Sequence, residues 1–382
     1  MIEKIHIQNF KSIYDLELEV GRVNLFIGEN GSGKSNLLEA LVFVSASESN
    51  MLANEFLVSR GLRVPEPELM RSAFEEEGKE NDIAIDIKYS ERDDSELYVF
   101  MHDNNTYSKW LEKKVKIPLP LELVEQLEEE VKKIKLNDIS EYIKHMVTHL
   151  AEVNNIKIDE LFLFKNFLIY SPENTALRVF ESEKQIQPLG INGEGLLKLL
   201  KVINNYEDKS YINTIIESLQ LFNWFEDIRI PTDISSMEDK VIIKDKYLYR
   251  EMTQYSANEG FLFILFYITL IVAKETPKAF AIDNIDASLN PKLCTKLMTI
   301  LTDLAKKYDK QIFLTTHNPA ILDGIDLNNK EQKLFVVSRN KKGHTRMKEI
   351  TVKDKPKSSD DEPLHLSEAF LRGYLGGLPK GF

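Results

Sequence analysis

A short segment near the start of the chain has the residue types and spacing of a phosphate-binding loop. It reads GENGSGKS from Gly28 to Ser35 and matches the pattern G-x-x-x-x-G-K-S/T. In such a loop the backbone N–H groups converge on a phosphate, the lysine reaches its β and γ oxygens, and the serine hydroxyl ligates Mg²⁺. The pattern therefore predicts ATP and Mg²⁺ as cofactors. The residues predicted to contact them are Asn30, Gly31, Ser32, Gly33, Lys34, Ser35 and Asn36.

Two further candidates end apolar runs much later in the chain. Asp283 ends the run PKAFAID, and His317 ends the run KQIFLTTH. Both runs are typical of buried parallel strands, whose carboxyl ends meet at one edge of a sheet. A carboxylate at that edge can hold Mg²⁺ together with Ser35, and a histidine there can reach the γ-phosphate. We therefore expect Asp283 and His317 to lie beside the phosphate-binding loop.

The elements around these residues predict an α/β fold with a parallel-sheet core. The alternating segment IEKIHIQNF and the apolar segment RVNLFIG predict two strands, and KSNLLEALVFVSA predicts a helix directly after the glycine loop. The run GFLFILFYITLIVA, from Gly260 to Ala273, predicts a second, nearly all-apolar helix. DIRIP, KVIIK and KYLYR predict short strands before it. The order strand, loop, helix is the context that a phosphate-binding loop requires.

The pattern changes in the middle of the chain. NDIAIDIKYS and SELYVFMHD alternate with period two and predict a hairpin around Glu91 to Asp94. LELVEQLEEEVKKIKL and ISEYIKHMVTHLAEV predict two charged amphipathic helices. We interpret residues 61–160 as an inserted hairpin and helical lobe. The flanking residues 1–60 and 161–382 are then the two parts of one ATPase core.

The composition is that of a cytoplasmic protein. Hydrophobic residues make up 43% and charged residues 29% of the 382 residues, and no apolar run reaches the ~18 residues of a membrane span. The start, MIEKIHIQNF, lacks the pattern of a secretion signal. We expect a cytoplasmic protein without a membrane partner. The formal net charge of −12 argues against a surface that is basic throughout, although KWLEKKVK and SRNKKGHTRMK leave local basic sites for nucleic acid.

Other chemistries find little support in the residues. A single cysteine, Cys294, excludes an internal disulfide framework and suits a reducing compartment. His145 and His149 are four residues apart, but Met146 stands where a zinc protease carries its glutamate, so zinc binding is not expected. Neither a G-x-S-x-G motif nor a His-Asn-His nuclease pattern is present. If a nuclease is involved, we expect it on another chain.

These residues resemble the ABC-type ATPase heads of a group that includes RecF, the heads of SMC proteins, and ATPases of bacterial anti-phage systems of the OLD and Septu types. IHIQNFKSI is similar to the opening strand and turn of that group, DASLNP to its D-loop, and Thr316-His317 to its switch histidine. YSANEG resembles its signature loop, and the ending LSEAFLRGYLGGLP resembles tails of stand-alone ATPases in defence operons. The resemblance implies a P-loop ABC-ATPase head, with a parallel RecA-like core and an antiparallel β subdomain.

The resemblance also implies an assembly. In such heads two subunits pack head to tail around two ATP molecules, as a homodimer or as part of a higher homo-oligomer. Ser256 and Gly260 of one subunit would contact the γ-phosphate held by the other. The helix that follows Gly260 would offer its N-terminal N–H groups and dipole to this anion. Further nucleotide contacts are implied for Asn9, Lys11 and Ser12.

One residue departs from the family pattern with a chemical consequence. In the family a glutamate directly after the aspartate polarises the attacking water, whereas this chain has Asn284. An amide can orient water but cannot accept its proton, so we expect slow hydrolysis. Asp286 could take over part of this role if the chain turns it inward, and otherwise it is a D-loop residue or a helix N-cap. The predicted catalytic residues are Asp283, Asn284, Asp286 and His317.

Two functions fit the resemblance. In the first, ATP-dependent dimerisation gates a separate effector, a nuclease or a toxin, or gates a nucleic-acid interaction in anti-phage defence. In the second, a RecF-like repair or recombination clamp binds DNA itself. A continuous basic stripe would favour the clamp, and an acidic dimer with an apolar flank would favour a scaffold for a protein partner. A transporter subunit fits less well, because the long insertion and the Asn-Phe-Lys-Ser opening do not suit it.

Overall fold

The computed structural model describes residues 1–74, 81–90, 95–105, 108–114, 166–180, 185–232, 240–356 and 364–378. The strands in this part of the chain are β1 (Ile2–Phe10), β2 (Ile13–Glu19), β3 (Val23–Gly28), β4 (Ile83–Tyr89), β5 (Ser95–Met101), β6 (Leu111–Lys114), β7 (Ile169–Tyr170), β8 (Phe225–Arg229), β9 (Ile242–Asp245), β10 (Met252–Thr253), β11 (Ala279–Ile282), β12 (Gln311–Thr316), β13 (Gln332–Arg339) and β14 (Thr345–Ile350). The α-helices are α1 (Lys34–Glu48), α2 (Asn54–Ser59), α3 (Pro67–Met70), α4 (Leu196–Asn204), α5 (Ser210–Leu219), α6 (Glu259–Val272), α7 (Pro291–Lys307) and α8 (Leu366–Leu371). Short 3₁₀ helices span Ala176–Arg178, Pro319–Gly324 and Val352–Asp354.

The central sheet has six strands in the order β14-β13-β3-β12-β11-β7. All neighbours pair in parallel except β13 and β14, which form an antiparallel hairpin. The inner strands β3, β11 and β12 are buried along their whole length, which explains their mostly apolar sequences. The register places Thr316 opposite Ile27 and Val337 opposite Gly28. The predicted parallel core is confirmed, and its strand β3 ends at the glycine loop.

Helix α1 lies between the central sheet and a second, antiparallel sheet. That second sheet has five strands in the order β2-β1-β4-β5-β6. One continuous apolar cluster joins α1 to the inner face of the second sheet and to central-sheet residues such as Phe26 and Phe313. Because both faces of α1 are covered, its sequence is apolar almost all round and shows little amphipathic pattern. The opposite face of the central sheet packs against α4, α5, α6 and α7.

The predicted hairpin forms strands β4 and β5, and it pairs with the first strand of the chain. β4 pairs antiparallel with β1, with Ile85 opposite Ile7, so the hairpin continues the sheet that the first residues of the chain begin. Its alternating inward side chains share the apolar cluster of α1. The boundaries 1–60, 61–160 and 161–382 remain our proposal for the domain organisation. The two helices predicted after Pro120, with His145 and His149, lie outside the described residues.

A third, small antiparallel sheet has the order β10-β9-β8 and leads into α6. The predicted strand KYLYR is wrong, because Lys246–Arg250 forms the turn between β9 and β10. Its aromatic residues are exposed, Tyr249 completely so, and gain nothing from the burial that a strand of this composition would provide. The apolar run before residue 273 forms α6, as predicted, and is buried. In the described part of the chain, no helix has the length and apolarity to cross a bilayer.

Candidate nucleotide-binding site

The glycine loop lies between β3 and α1, at the carboxyl edge of the central sheet. Gly33 ends the loop with φ 105°, a left-handed conformation that residues with a Cβ rarely adopt. A Cβ on Gly33 would also lie 2.1 Å from Thr345 Oγ1, and one on Gly28 would lie 2.1 Å from the Val337 carbonyl oxygen. The loop therefore needs glycine at both positions, because neighbouring strands approach its backbone closely.

Lys34 is buried within this loop and is only 6% exposed. Its Nζ donates hydrogen bonds to the carbonyl oxygens of Gly28 and Glu29, at 2.9 and 3.0 Å. Burial lowers the pKa of Lys34 below its usual value, while the nearby Asp283, Asp286 and Glu29 act in the opposite direction. The ammonium group is thus held at the mouth of the loop, close to two carboxylates.

Asp283 directly follows β11, and its carboxylate lies beside Ser35 in the first turn of α1. The Ser35 hydroxyl donates to Asp283 Oδ2 at 3.1 Å, and the Thr315 hydroxyl donates to Asp283 Oδ1. A hydroxyl and a carboxylate side by side are hard oxygen donors of the kind Mg²⁺ takes, so these residues fit that ion. Within the described residues, no group of three His, Cys, Asp or Glu side chains forms a self-contained metal site. The set of donors therefore suits a metal that shares its coordination with phosphates.

Asn284 and Asp286 occupy very different positions. Asn284 is exposed and left-handed, with φ 56°, and its backbone N–H donates to Thr315 Oγ1 at 2.9 Å. Asparagine tolerates this conformation better than glutamate does, which gives a physical reason for the residue found here. Asp286 is turned inward: its Oδ1 accepts from the Thr316 hydroxyl at 2.6 Å and from the His317 backbone N–H at 3.2 Å.

Asp286 is not a helix N-cap. Helix α7 is capped by Asn290, whose Oδ1 accepts the N–H of Leu293 at 3.0 Å. Asp286 instead bonds to the end of β12, where the switch histidine begins. His317 is exposed. Partial burial and the charge of Lys34 lower its pKa, while Asp286 and Asp283 act in the opposite direction. The structure thus brings His317, Lys34, Asp283 and Asp286 to one edge.

The three residues predicted from the first turn of the chain have separate environments. Ser12 lies beside the loop, since its Oγ accepts from Asn36 Nδ2 at 2.6 Å and contacts Thr345 Oγ1 at 2.7 Å. Lys11 lines the neighbouring cleft and pairs with Glu39. Asn9 bonds elsewhere: its Oδ1 accepts the N–H of Ser72 at 3.1 Å, and its amide donates to the backbone carbonyls of Asn81 and Asp82. It is not among the residues that line the cleft, and its contact with a nucleotide stays a prediction.

A cationic cleft of about 490 Å³ extends from the loop past Ser12 and Asn36. The cations that line it are Lys11, Arg63, Arg71 and Arg339. Glu39 of α1 is 1% exposed and pairs with both Lys11 and Arg63 at 2.6 Å. Burial lowers the pKa of Lys11, and the hydrogen bond to Glu39 raises that of Arg63.

The sequence analysis missed Arg63 and Arg339 as site residues. One signal was present, because Glu39 interrupts an otherwise apolar helix and a buried carboxylate requires a cationic partner. Arg339 belongs to the basic run SRNKKGHTRMK, which forms the β13–β14 turn, and its Nε donates to the Gly31 carbonyl oxygen at 2.7 Å. Local charge therefore lies at the glycine loop although the chain as a whole is acidic.

The predicted signature loop lies in a different part of the molecule. It precedes α6, whose N-terminus is capped by Asn258 Oδ1 accepting the Phe261 N–H at 2.8 Å. Gly260 packs against the D-loop, because a Cβ there would lie 3.0 Å from the Ser288 carbonyl oxygen. The Ser256 side chain is exposed. The hydrogen bonds of the described residues do not join Ser256 or Gly260 to the glycine loop of the same chain.

Comparison with known proteins agrees with this geometry. Residues 23–323 match the family model described as "AAA domain, putative AbiEii toxin, Type IV TA system". A crystal structure of an SMC head bound to the C-winged helix domain of ScpA is similar, with a TM-score of 0.59 at 14% identity, over 92% of this chain and 98% of that chain. An SMC head with an extended coiled coil, bound to the C-terminal domain of ScpA and derived from Pyrococcus furiosus, gives a TM-score of 0.50 at 12% identity, over 92% and 96%.

Sequence relatives match over short segments. An uncharacterized protein of Methanocaldococcus jannaschii is 46% identical over 67 residues, which are 16% of this chain and 31% of the relative. The DNA replication and repair protein RecF of Listeria welshimeri is 42% identical over 55 residues, 14% of this chain and 15% of the relative. The matched part thus spans less than a third of these relatives. By its family match, the chain belongs to the AAA-domain family, and its fold is that of a P-loop ABC-type ATPase head, as in the SMC heads.

Proposed function

We propose that the protein is a nucleotide-gated switch. It binds ATP with Mg²⁺, forms a head-to-tail homodimer around two nucleotides, hydrolyses ATP slowly, and gates a separate effector in anti-phage defence. The observation that carries this proposal is the meeting of Lys34, Ser35 and Asp283 at one edge of the parallel sheet, with 3.1 Å between Ser35 Oγ and Asp283 Oδ2. A buried lysine beside a hydroxyl and a carboxylate is the set that β- and γ-phosphates with Mg²⁺ require.

Each residue of the edge has a role in this proposal. The N–H groups of the loop around Gly31 hold the β-phosphate, and Lys34 bonds to the β and γ oxygens. Ser35 and Asp283 would hold Mg²⁺, which neutralises phosphate charge when it is bound. His317 contacts the γ-phosphate edge. The remaining loop residues proposed to line the site are Asn30, Ser32, Gly33 and Asn36.

The cationic cleft beside the loop supports the orientation of the nucleotide. Lys11 and Arg63 lie on its wall, and each already compensates the buried Glu39. Because the phosphates occupy the glycine loop, we propose that the sugar and base extend along this cleft, past Ser12. Lys11 and Arg63 would then divide their charge between Glu39 and the nucleotide.

The environment of Asn284 supports slow hydrolysis. Its amide can orient an attacking water but has no basic oxygen that accepts a proton at neutral pH, and loss of a general base typically costs ~10²- to 10⁴-fold in rate. Asp286 is the nearest inward carboxylate that we propose as a partial substitute, although its Oδ1 already accepts two hydrogen bonds. Phosphoryl transfer depends mainly on positioning and charge, which preserves a residual rate.

The separation of the two loops supports dimerisation. The signature residues Ser256 and Gly260 have no phosphate-binding partner within the described part of their own chain, and the helix dipole of α6 points its positive end outward beside them. A second copy would bring its nucleotide to this loop. The ScpA complexes of the similar SMC heads support a further protein partner at the head, and the family description, a putative AbiEii toxin of a Type IV TA system, supports a link to a toxin.

A RecF-like clamp is the second candidate. It is favoured by the RecF relatives and by the basic β13–β14 turn, where Arg339 contacts the glycine loop. A clamp of this kind would bind DNA through backbone charge, with a strong salt dependence. The formal net charge of −12 supports the scaffold over the clamp.

Two measurements test these functions together. Light scattering should show a monomer without nucleotide and a dimer with ATP, and Lys34→Ala should remain a monomer at the same protein concentration. A wild-type monomer at micromolar protein with saturating ATP contradicts the switch. Fluorescence anisotropy with labelled duplex DNA, with and without ATP, then decides between candidates: ATP-dependent submicromolar binding at ~150 mM salt, a range typical of specific complexes, would favour the clamp.

A further inference from the structure

Arg178 holds the signature loop from behind. Its guanidinium donates to the carbonyl oxygens of Gln254, Tyr255 and Ala257, at 2.6, 2.8 and 2.9 Å, and its Nε donates to Asn174 Oδ1 at 3.0 Å. These four hydrogen bonds use four of the five N–H donors of the guanidinium group. A single side chain thus fixes three carbonyls within four consecutive residues of one loop.

This contact determines which way the loop presents its groups. With three carbonyl oxygens drawn toward Arg178, the acceptors of the loop face inward, and its Ser256 side chain stays exposed on the other side. Among the described residues, no carboxylate lies within ion-pair distance of Arg178, and the guanidinium bonds there to three carbonyl oxygens and to Asn174 Oδ1. The loop therefore carries a positive charge directly behind the surface that would meet a phosphate.

Arg178 also lies at the end of a segment that begins at Tyr170, next to Asp283 in the central sheet. The backbone N–H of Asp283 donates to the Tyr170 carbonyl oxygen at 2.9 Å, where β7 pairs with β11. From Tyr170 the chain runs through the fully buried Leu177 to Arg178. One short segment thus connects the strand that carries Asp283 to the loop that carries Ser256.

We propose that Arg178 is a positioning residue for the signature loop, through which one subunit completes the nucleotide site of a second copy. This inference rests on the proposed function for the identity of the phosphate, but the positioning itself concerns this chain alone. Arg178 does not touch the nucleotide of its own subunit. Its loss should leave ATP binding at the glycine loop intact and weaken the step that needs the signature loop of the partner copy.

The first experiment compares Arg178→Ala with wild type and with Arg229→Ala. Arg229 is a matched control, because it is an exposed arginine in the neighbouring small sheet that pairs with Glu251. Without nucleotide, hydrogen exchange at residues 254–260 should accelerate at least tenfold in Arg178→Ala and stay unchanged in Arg229→Ala. Exchange in the glycine loop should not change in either variant. Unchanged exchange at 254–260 would overturn the positioning role whether or not the protein dimerises.

The same variants then link the loop to assembly. ATP affinity of Arg178→Ala, measured by calorimetry, should stay within twofold of wild type, while ATP-dependent dimerisation falls at least tenfold. Arg178→Lys should recover part of the loss, because one ammonium can reach some but not all of the three carbonyls. An ATP affinity reduced as much as by Lys34→Ala, in a protein with wild-type melting temperature, would show that Arg178 serves its own site and refute the proposal.

Mixing variants gives the sharpest discrimination. Arg178→Ala mixed with Lys34→Ala can form one composite site with an intact glycine loop and an intact signature loop, whereas Arg178→Ala mixed with Ser256→Ala cannot. ATP turnover in the first mixture should therefore exceed that in the second severalfold. Equal turnover in the two mixtures contradicts the action of Arg178 on a second copy. If wild type forms no dimer with ATP, the proposed function fails, and the exchange experiment still decides whether Arg178 positions the loop.

Discussion

The glycine-loop edge and the signature loop differ in how complete they are within one chain. At the edge, side chains from three separated segments already bond to one another, as Ser35, Thr315 and Asp283 do. At the signature loop, the backbone is braced by Arg178, yet the Ser256 hydroxyl makes no hydrogen bond in the part of the chain that the structure describes. The comparison indicates that one chain can form the site that holds a nucleotide. The signature loop, in contrast, is positioned by the chain but needs a phosphate from elsewhere as the partner of Ser256.

The largest effect is expected from a variant of the glycine-loop edge. Lys34→Ala removes a charge-assisted contact to the β and γ oxygens, worth ~1.5 to 3 kcal/mol, so ATP affinity should fall roughly 10- to 150-fold. Calorimetry checks the affinity, and light scattering should show that ATP no longer induces a dimer. Lys244→Ala is the control, because this exposed lysine pairs with Glu226 in the small sheet. Unchanged ATP binding in Lys34→Ala would refute the site.

Asn284 tests what the complete half still lacks. Asn284→Asp supplies a carboxylate at the water-facing position and keeps a residue that tolerates φ 56°. Steady-state turnover should rise roughly tenfold, less than the full ~10²- to 10⁴-fold contribution of a general base because the side chain is shorter than glutamate.

Asn284→Glu separates chemistry from backbone strain. It should raise turnover too, but its left-handed backbone should cost ~1 kcal/mol or more and lower the melting temperature. Asp286→Ala is the control for the alternative base. If wild type already turns over at ~1 s⁻¹, an ordinary enzyme rate, and neither Asn284 variant is faster, slow hydrolysis is wrong.

A variant of the signature loop should not change the affinity of the monomer for ATP. Ser256→Ala removes one hydroxyl that we expect at the phosphate of the second copy, worth ~1 kcal/mol or roughly fivefold in dimer affinity per site. Its ATP affinity as a monomer should equal that of wild type. Sedimentation across a protein concentration series with ATP measures the shift. A parallel loss of monomer affinity for ATP would erase the distinction between the two regions.

The smallest expected effect is a proton linked to His317. In the free protein, partial burial and Lys34 keep its pKa below the usual 6.5, so the imidazole is neutral at pH 7. A bound triphosphate favours the imidazolium and raises that pKa, so ATP binding should take up less than one proton near pH 6.5, and affinity should increase as the pH falls through this range. Calorimetry in buffers of different ionisation enthalpy measures the uptake. His317→Gln should abolish it.

The sequence was sufficient where the position of a residue in the fold depends on local patterns. The glycine loop, Asp283 and His317 were predicted because each follows an apolar run whose parallel pairing forces its end to the same edge. Arg178 and Arg63 were not, because their partners are distant in sequence, and backbone carbonyls such as those of residues 254–257 carry no sequence signal. Sheet pairing was not predicted either. The period-two patterns predicted β4 and β5 as strands, but not that β4 pairs with β1.

The register of the central sheet has a consequence for biosynthesis. Strand β3 carries the glycine loop, yet both of its partners, β12 and β13, follow after about 280 further residues have been made. At ordinary rates of synthesis this takes roughly 15 to 60 s, during which a mostly apolar strand has neither neighbour. Folding of the core therefore waits for long-range contacts, and a high contact order of this kind slows folding. The P-loop strand therefore lacks its sheet partners until most of the chain has been made.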